Sequence, residues 1–219
     1  MRRVRVKICG ITRLEDLHAA VEAGADALGF IIDVPQSPRN LPIDEARKIM
    51  KETPIFVERI AVTVFRSIEH TLRICRELRP DAIQIHGEKL DGRWIRKLLD
   101  EIPIIRAVNV ASEETLKTVS LEAKFFDAIL ADSHVSGKYG GTGITHDWNL
   151  SRKLRELIRP KPLILAGGLR PENVREAILS VRPFAVDVST GVEKQPGVKD
   201  RNKIISFIRE VRRAELCLN

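Results

Sequence analysis

Val4-Arg5-Val6-Lys7-Ile8-Cys9-Gly10-Ile11-Thr12, residues 4–12, holds the pattern on which the fold is read. From Val4 to Ile8, β-branched residues alternate with polar ones, which predicts a strand. Thr12-Arg13-Leu14-Glu15 then has capping-box spacing, so a helix is expected almost at once, with Thr12 as its cap. Cys9 falls between the two elements, at a strand's C-terminal end and beside a glycine. Taken alone, such a cysteine is more often a packing residue than a catalytic one.

Working outward, the same strand–helix unit recurs. Leu14, Leu17, His18 and Val21 follow helical spacing, with Gly24 as the C-cap glycine. Ala27 to Ile32 is continuously apolar, as in a strand buried on both faces of a parallel sheet. A proline-bearing loop, residues 33–42, leads to a helix from about Ile43. Further strands are predicted over Phe56–Val64, Ala82–His86, Pro103–Val108, Phe126–Asp132, Pro162–Ala166 and Ala185–Val188. Helices are predicted after Ser67, from Lys89, after Ser112, after Asp147, and from Pro171 as a first-position proline, with a last one carrying Ile204, Phe207, Ile208 and Val211. Eight units of this kind predict eight parallel strands with right-handed crossovers, an α/β fold closed as a single-domain (β/α)8 TIM barrel over residues 1–219. The doubly wound open sheet is the rival, but a G-x-G-x-x-G turn is missing after the first strand.

Composition narrows the class. With 43% hydrophobic and 31% charged residues in 219, the chain is of ordinary globular type. It carries neither an apolar run long enough to span a bilayer nor a signal-peptide pattern, and the expectation is a cytoplasmic protein without a membrane partner. Three cysteines, Cys9, Cys75 and Cys217, share no metal-ligand or redox spacing, and no metal site is expected. The net charge of +7 suits an anionic ligand. The basic residues are scattered among acids without interleaved aromatics, so nucleic acid is not the expected partner.

Barrel active sites form at the C-terminal ends of the strands, which turns polar strand-end residues into candidates. Gly140-Gly141-Thr142-Gly143 follows the sixth strand, Gly167-Gly168 the seventh, and Ser189-Thr190-Gly191 the eighth. Glycines let backbone N–H groups approach an anion, so Gly141, Thr142, Gly143, Gly167, Gly168, Ser189, Thr190 and Gly191 are the candidate phosphate-binding residues. Gln84 and His86 share one face at the end of the fourth strand, and Asp132 ends the otherwise apolar sixth. A carboxylate so placed must be paired or used. Arg39 offers a planar fork suited to a carboxylate. Cys9 and Asp132 form an acid–base candidate pair. By alternation Lys7 shares the face of Cys9 and is expected to lower its thiol pKa, with Asp187 neutralising Lys7.

Taken together, Lys7-Ile8-Cys9-Gly10-Ile11-Thr12, Gln84-Ile85-His86-Gly87-Glu88, the Gly140–Gly143 loop followed by Asp147-Trp148, Ala166-Gly167-Gly168-Leu169 with Pro171-Glu172-Asn173-Val174, and Val186-Asp187-Val188-Ser189-Thr190-Gly191-Val192-Glu193 resemble the phosphoribosylanthranilate isomerases of tryptophan biosynthesis. The resemblance runs in order from the first strand to the last helix. It implies the third step from chorismate to tryptophan. In that step N-(5-phosphoribosyl)anthranilate undergoes an Amadori rearrangement to 1-(2-carboxyphenylamino)-1-deoxyribulose 5-phosphate, without metal or organic cofactor. By position it makes Asp132 the general acid, Cys9 the general base and Arg39 the holder of the anthranilate carboxylate. Gln84 and His86 are taken as further substrate contacts, and the chain as a monomer or homodimer. Another sugar-phosphate barrel, such as an epimerase or synthase, is the alternative enzyme, and a basic nucleic-acid-binding barrel the non-enzymatic one.

Overall fold

A computed structural model describes residues 3–87, 90–99, 101–132 and 147–218, and within them the predicted alternation closes on itself. The barrel strands are β1 (Arg5–Cys9), β2 (Ala27–Ile32), β3 (Glu58–Val64), β4 (Ala82–His86), β5 (Ile104–Asn109), β6 (Ala128–Asp132), β7 (Leu163–Leu165) and β8 (Ala185–Val188). Each pairs in parallel with the next, and β1 pairs with both β2 and β8, so no edge stays open. The helices between them are α1 (Leu14–Ala23), α2 (Ile43–Met50), α3 (Ile68–Leu78), α4 (Gly92–Leu98), α5 (Glu113–Glu122), α6 (Trp148–Leu157), α7 (Val174–Val181) and α8 (Arg201–Glu215). Among the described residues no helix is long and apolar enough to cross a membrane.

Strand alternation sorts the core into two shells. Outward residues such as Val6, Ile8, Phe30, Ile83, Ile129 and Val186 meet the helix residues Leu17, Ile74, Leu154, Ile178 and Phe207. Each large side chain buried this way contributes about 1.5–3 kcal/mol. Inward residues form a second cluster in which alanine is common: Ala82, Ala107, Ala128, Ala166 and Ala185, with Ile60, Val62, Ile105, Leu130 and Ile164. The small side chains leave the barrel axis room for the long side chain of Lys7 and for Asp187.

Helix caps explain most boundaries. Ser67 Oγ accepts from His70 N at 3.2 Å to start α3, and Asp200 accepts from Asn202 N and Lys203 N to start α8. Four expectations shift. Thr12 does not cap α1; its hydroxyl donates to Gly197 O at 2.7 Å, and Arg13 takes the cap position without a side-chain bond. Helix α4 begins at Gly92, because Asp91 caps it through Arg93 N and Trp94 N. Helix α7 begins at Val174 rather than Pro171, since Asn173 bonds back to Arg170 N and Gly168 O and holds residues 168–173 as a turn. Strand β3 also starts later than predicted, at Glu58, because Phe56 adopts a positive φ of 72° that breaks the extended run.

Two short pairings went unpredicted. Asn40–Leu41 lies parallel to Ile31 and Ile32 at the end of β2. Glu193–Gln195 and Val198–Lys199 form an antiparallel hairpin after β8, with Glu193 directly opposite Lys199. The hairpin turns at Gly197 (φ 79°), where a Cβ would stand 3.0 Å from Pro38 O. The hairpin therefore rests on the loop after β2 and, through Thr12, on the start of α1.

Candidate active site

Six of the strands, β1, β2, β3, β4, β6 and β8, deliver side chains to one mouth. There a cavity is lined by Cys9 from β1, Arg39 from the loop after β2, Gln84 and His86 from β4, Asp132 from β6 and Ser189 after β8, with Asp187 deeper on β8. The five side chains expected at an isomerase centre, Cys9, Arg39, Gln84, His86 and Asp132, are thus brought to one space. Cys9 and Asp132 reach it from strands three apart around the ring, through β8 and β7.

The thiol sits over a glycine. A methyl group added at Gly29 of β2 would lie 2.8 Å from Cys9 Sγ and 2.9 Å from Lys7 Nζ. Gly29 is therefore the floor on which thiol and ammonium rest together. The strand reading passed over it, although a glycine inside a strand pattern is itself a signal of close approach. Lys7 is 4% exposed and donates to Asp187 Oδ1 at 2.8 Å, as the shared register of Lys7 and Asp187 requires. Burial works to lower the Lys7 pKa, but Asp187 and the adjacent Cys9 outweigh it and hold the ammonium above its ordinary value. Lys7 pulls on the thiol in the expected direction, but the net shift is upward. Burial pushes Cys9 above its ordinary value, and Asp187 adds to that; Lys7 and Lys199 pull the other way without prevailing.

Arg39 is more committed than the sequence suggested. Its Nε and Nη2 donate to the two carboxylate oxygens of Glu193 at 2.7 and 2.6 Å, both side chains being 5% exposed. Lys199 joins the same carboxylate at 2.9 Å and also donates to Ser189 O. Burial works to raise the Glu193 pKa, but Arg39 and Lys199 bring it below the usual range, while burial pulls the Lys199 ammonium down. The stem of Arg39 packs on Gly10 (φ 78°), whose Cβ would stand 2.5 Å from Arg39 Cδ. Glu193 and Lys199 were not among the sequence candidates. Their signal was available only as two opposite charges flanking the turn residues Pro196-Gly197.

Gln84 lines the cavity although it is buried; its amide nitrogen lies 2.9 Å from His86 Nε2, and its Oε1 is buried without a hydrogen bond. Of the phosphate candidates, Gly167 and Gly168 both take positive φ, 83° and 63°, a left-handed turn in the loop after β7. At Gly191 a Cβ would overlap the Leu169 carbonyl oxygen, so the loops after β7 and β8 touch through that glycine. Ser189, Thr190 and Gly191 are half-buried on the same rim. Gly141, Thr142 and Gly143 lie outside the described residues. Among those described, no group of three or more His, Cys, Asp or Glu side chains is arranged to hold a metal ion.

Comparison with known proteins agrees with this geometry. Residues 6–210 match the family model described as N-(5′-phosphoribosyl)anthranilate (PRA) isomerase. An N-(5′-phosphoribosyl)anthranilate isomerase of Methanothrix thermoacetophila is 43% identical over 210 residues, covering 95% of this chain and 98% of the relative. A solved structure of monomers generated from the dimeric phosphoribosylanthranilate isomerase of Thermotoga maritima superposes with a TM-score of 0.83 at 41% identity, covering 95% and 98% of the two chains. A second solved isomerase, in complex with reduced 1-(o-carboxyphenylamino)-1-deoxyribulose 5-phosphate, gives 0.83 at 42% identity with the same coverage.

Proposed function

Because the chain belongs to the N-(5′-phosphoribosyl)anthranilate isomerase family, we propose that it catalyses the Amadori rearrangement of N-(5′-phosphoribosyl)anthranilate, as an isomerase of tryptophan biosynthesis, with Asp132 as acid and Cys9 as base. Asp132 gives a proton to the furanose ring oxygen as the anilino nitrogen pushes the C1–O bond open to a protonated Schiff base. The Cys9 thiolate takes the C2 proton and leaves an enolamine. Loss of the O2 proton and protonation at C1 then give the ketose. C1 is reduced and C2 oxidised within one molecule, so the electrons balance without an external carrier. The observation that carries this reading is the meeting of Cys9, Asp132 and Arg39 at one cavity from three separate parts of the chain. The loops around Gly167, Gly168 and Ser189–Gly191 would hold the phosphate, with Gly141, Thr142 and Gly143 as the third loop, and Gln84 and His86 would contact the substrate. Residues 1–219 would act as one catalytic domain.

The test is fluorimetric. Purified protein should quench the emission of the anthranilate adduct of ribose 5-phosphate. Asp132→Asn and Cys9→Ala should each lower kcat by about 10²–10⁴-fold, with KM little changed. Near-normal turnover by Cys9→Ala would remove the base assignment, and an inactive wild type would remove the isomerase reading.

Self-association is supported by the loop between α2 and β3, at the end of the barrel opposite the mouth. Ile55 and Phe56 there are 82% and 96% exposed, an arrangement that suits a partner surface, and the Thermotoga maritima relative is dimeric. The protein should sediment as a homodimer and Phe56→Asp as a monomer; equal sedimentation of the two would exclude this loop.

A further inference from the structure

The buried charges of the mouth do not sum to zero on the Arg39 side. Lys7 and Asp187 make a neutral pair. Arg39, Glu193 and Lys199 make two cations on one carboxylate, all three residues being 4–7% exposed, and the buried Asp16 nearby accepts the backbone N–H of Lys199 rather than its ammonium. A buried excess of one positive charge is costly unless an anion answers it. The guanidinium shows where that anion would sit. Its Nε–Nη2 edge is filled by Glu193. Nη1 makes no hydrogen bond among the described residues, and Arg39 lines the cavity. The Nη1–Nη2 edge is thus a second two-pronged donor, set by the first.

An arginine already paired with Glu193 would be a poor ligand for a second carboxylate, because the two anions repel across one cation. Lys199 removes that objection. The hairpin register places it directly opposite Glu193, and Nζ meets Oε1 at 2.9 Å while bonding Ser189 O and Oγ at 3.2 and 3.4 Å. We propose that Glu193 and Lys199 are positioning residues for carboxylate specificity. Glu193 aims the Arg39 fork, and Lys199 cancels the charge of Glu193, so that Arg39 keeps one full positive charge for the aromatic carboxylate of the substrate. This rests on the isomerase reading for the identity of that carboxylate.

Binding, rather than turnover, tests it. The probes are the reduced product analogue that carries the o-carboxyphenylamino group and its phenylamino counterpart lacking the carboxylate, titrated calorimetrically. Wild type should prefer the carboxylated probe by about 10–100-fold, the range of one charge-assisted contact. Lys199→Met should lose most of that preference, its affinity falling far more for the carboxylated probe than for the phenylamino one, and Lys199→Arg should restore it. Lys199→Gln, which keeps hydrogen bonding but not charge, gives the same readout if the methionine variant melts early. Preference retained in both neutral variants overturns the proposal, as does a loss of affinity equal for both probes. The isomerase reading fails separately, if wild type discriminates between the probes and yet does not turn over the adduct.

Discussion

The two ends of the barrel use charge in opposite ways. At the N-terminal end, Asp26, Asp81 and Asp127 each immediately precede an even-numbered strand. Each accepts one backbone N–H within the first two residues of the odd strand beside it: Val6 N at 2.9 Å, Arg59 N at 2.8 Å and Ile104 N at 2.7 Å. Arginines complete each site: Arg3 and Arg212 on Asp26, Arg59 on Asp81 and Arg96 on Asp127. These carboxylates stay partly in water and satisfy strand ends that would otherwise lack partners. At the mouth, by contrast, Lys7–Asp187 and Arg39–Glu193–Lys199 are nearly dry. Buried pairs of that kind are weak or even unfavourable contributors to stability, and an apolar replacement would serve folding as well. One end therefore carries charges that folding uses, and the other carries charges that only chemistry explains.

The comparison can be broken most forcefully at Lys7. Lys7→Met leaves Asp187 buried without its cation and should cost about 3–5 kcal/mol of stability, read by chemical denaturation. Lys7→Met combined with Asp187→Leu should recover most of that stability and none of the activity. Recovery of both would mean that the pair is structural, like those at the other end.

Gly29→Ala probes the same end with less damage to folding. The added methyl displaces the thiol and the ammonium from their common floor, so kcat should fall by about 10²-fold, the cost of a misplacement near 1 Å. An unchanged kcat would show that Sγ need not lie there. In the unmodified enzyme, burial raises the Cys9 pKa, so the thiolate fraction grows only as pH rises. Turnover should accordingly climb from neutral into the alkaline range without a plateau below the ordinary thiol value of ~8.5. A plateau near pH 7 would mean that the working base is another group.

The smallest effect belongs to the N-terminal end. Arg59 holds the Asp81 carboxyl below its ordinary range. A depressed carboxyl adds stability that is present above its unfolded pKa and lost as pH falls through the folded one, here below about pH 4. Asp81 is one-third exposed, so solvent screening limits the ion-pair part. Asp81→Asn keeps an oxygen for Arg59 N but removes the charge; it should cost up to about 1 kcal/mol at pH 7 and should flatten the acid limb of the stability curve while kcat stays unchanged. An equal loss at pH 3 and pH 7 would remove the linkage.

Much of this molecule was legible in residue order. The period-2 and period-3.6 patterns gave eight strands and eight helices, because a buried parallel strand and an amphipathic helix each leave a local imprint. Strand ends then nominated Cys9, Gln84, His86 and Asp132, and all four line the mouth. Local pattern failed where a long-range partner competed with a local one. Thr12 preferred the Gly197 carbonyl to its own helix. The aspartate-alanine pairs at 26–27, 81–82 and 127–128 are visible in the chain, but their role depends on which strand lies alongside.

Cys9 shows the division between the two sources. Sequence alone set its place, at the end of a first strand whose alternation puts Lys7 on its own face, because a strand's side-chain period is fixed by backbone geometry. The field that acts on the thiol was decided by the tertiary structure. Closure of the ring set Asp187 beside Lys7, Gly29 beneath the sulfur, and the hairpin's Lys199 close enough to act on it. Those groups lie some 20 to 190 residues away along the chain. Electrostatic energy depends on separation in space and on how much water is excluded, and neither quantity is written in residue order.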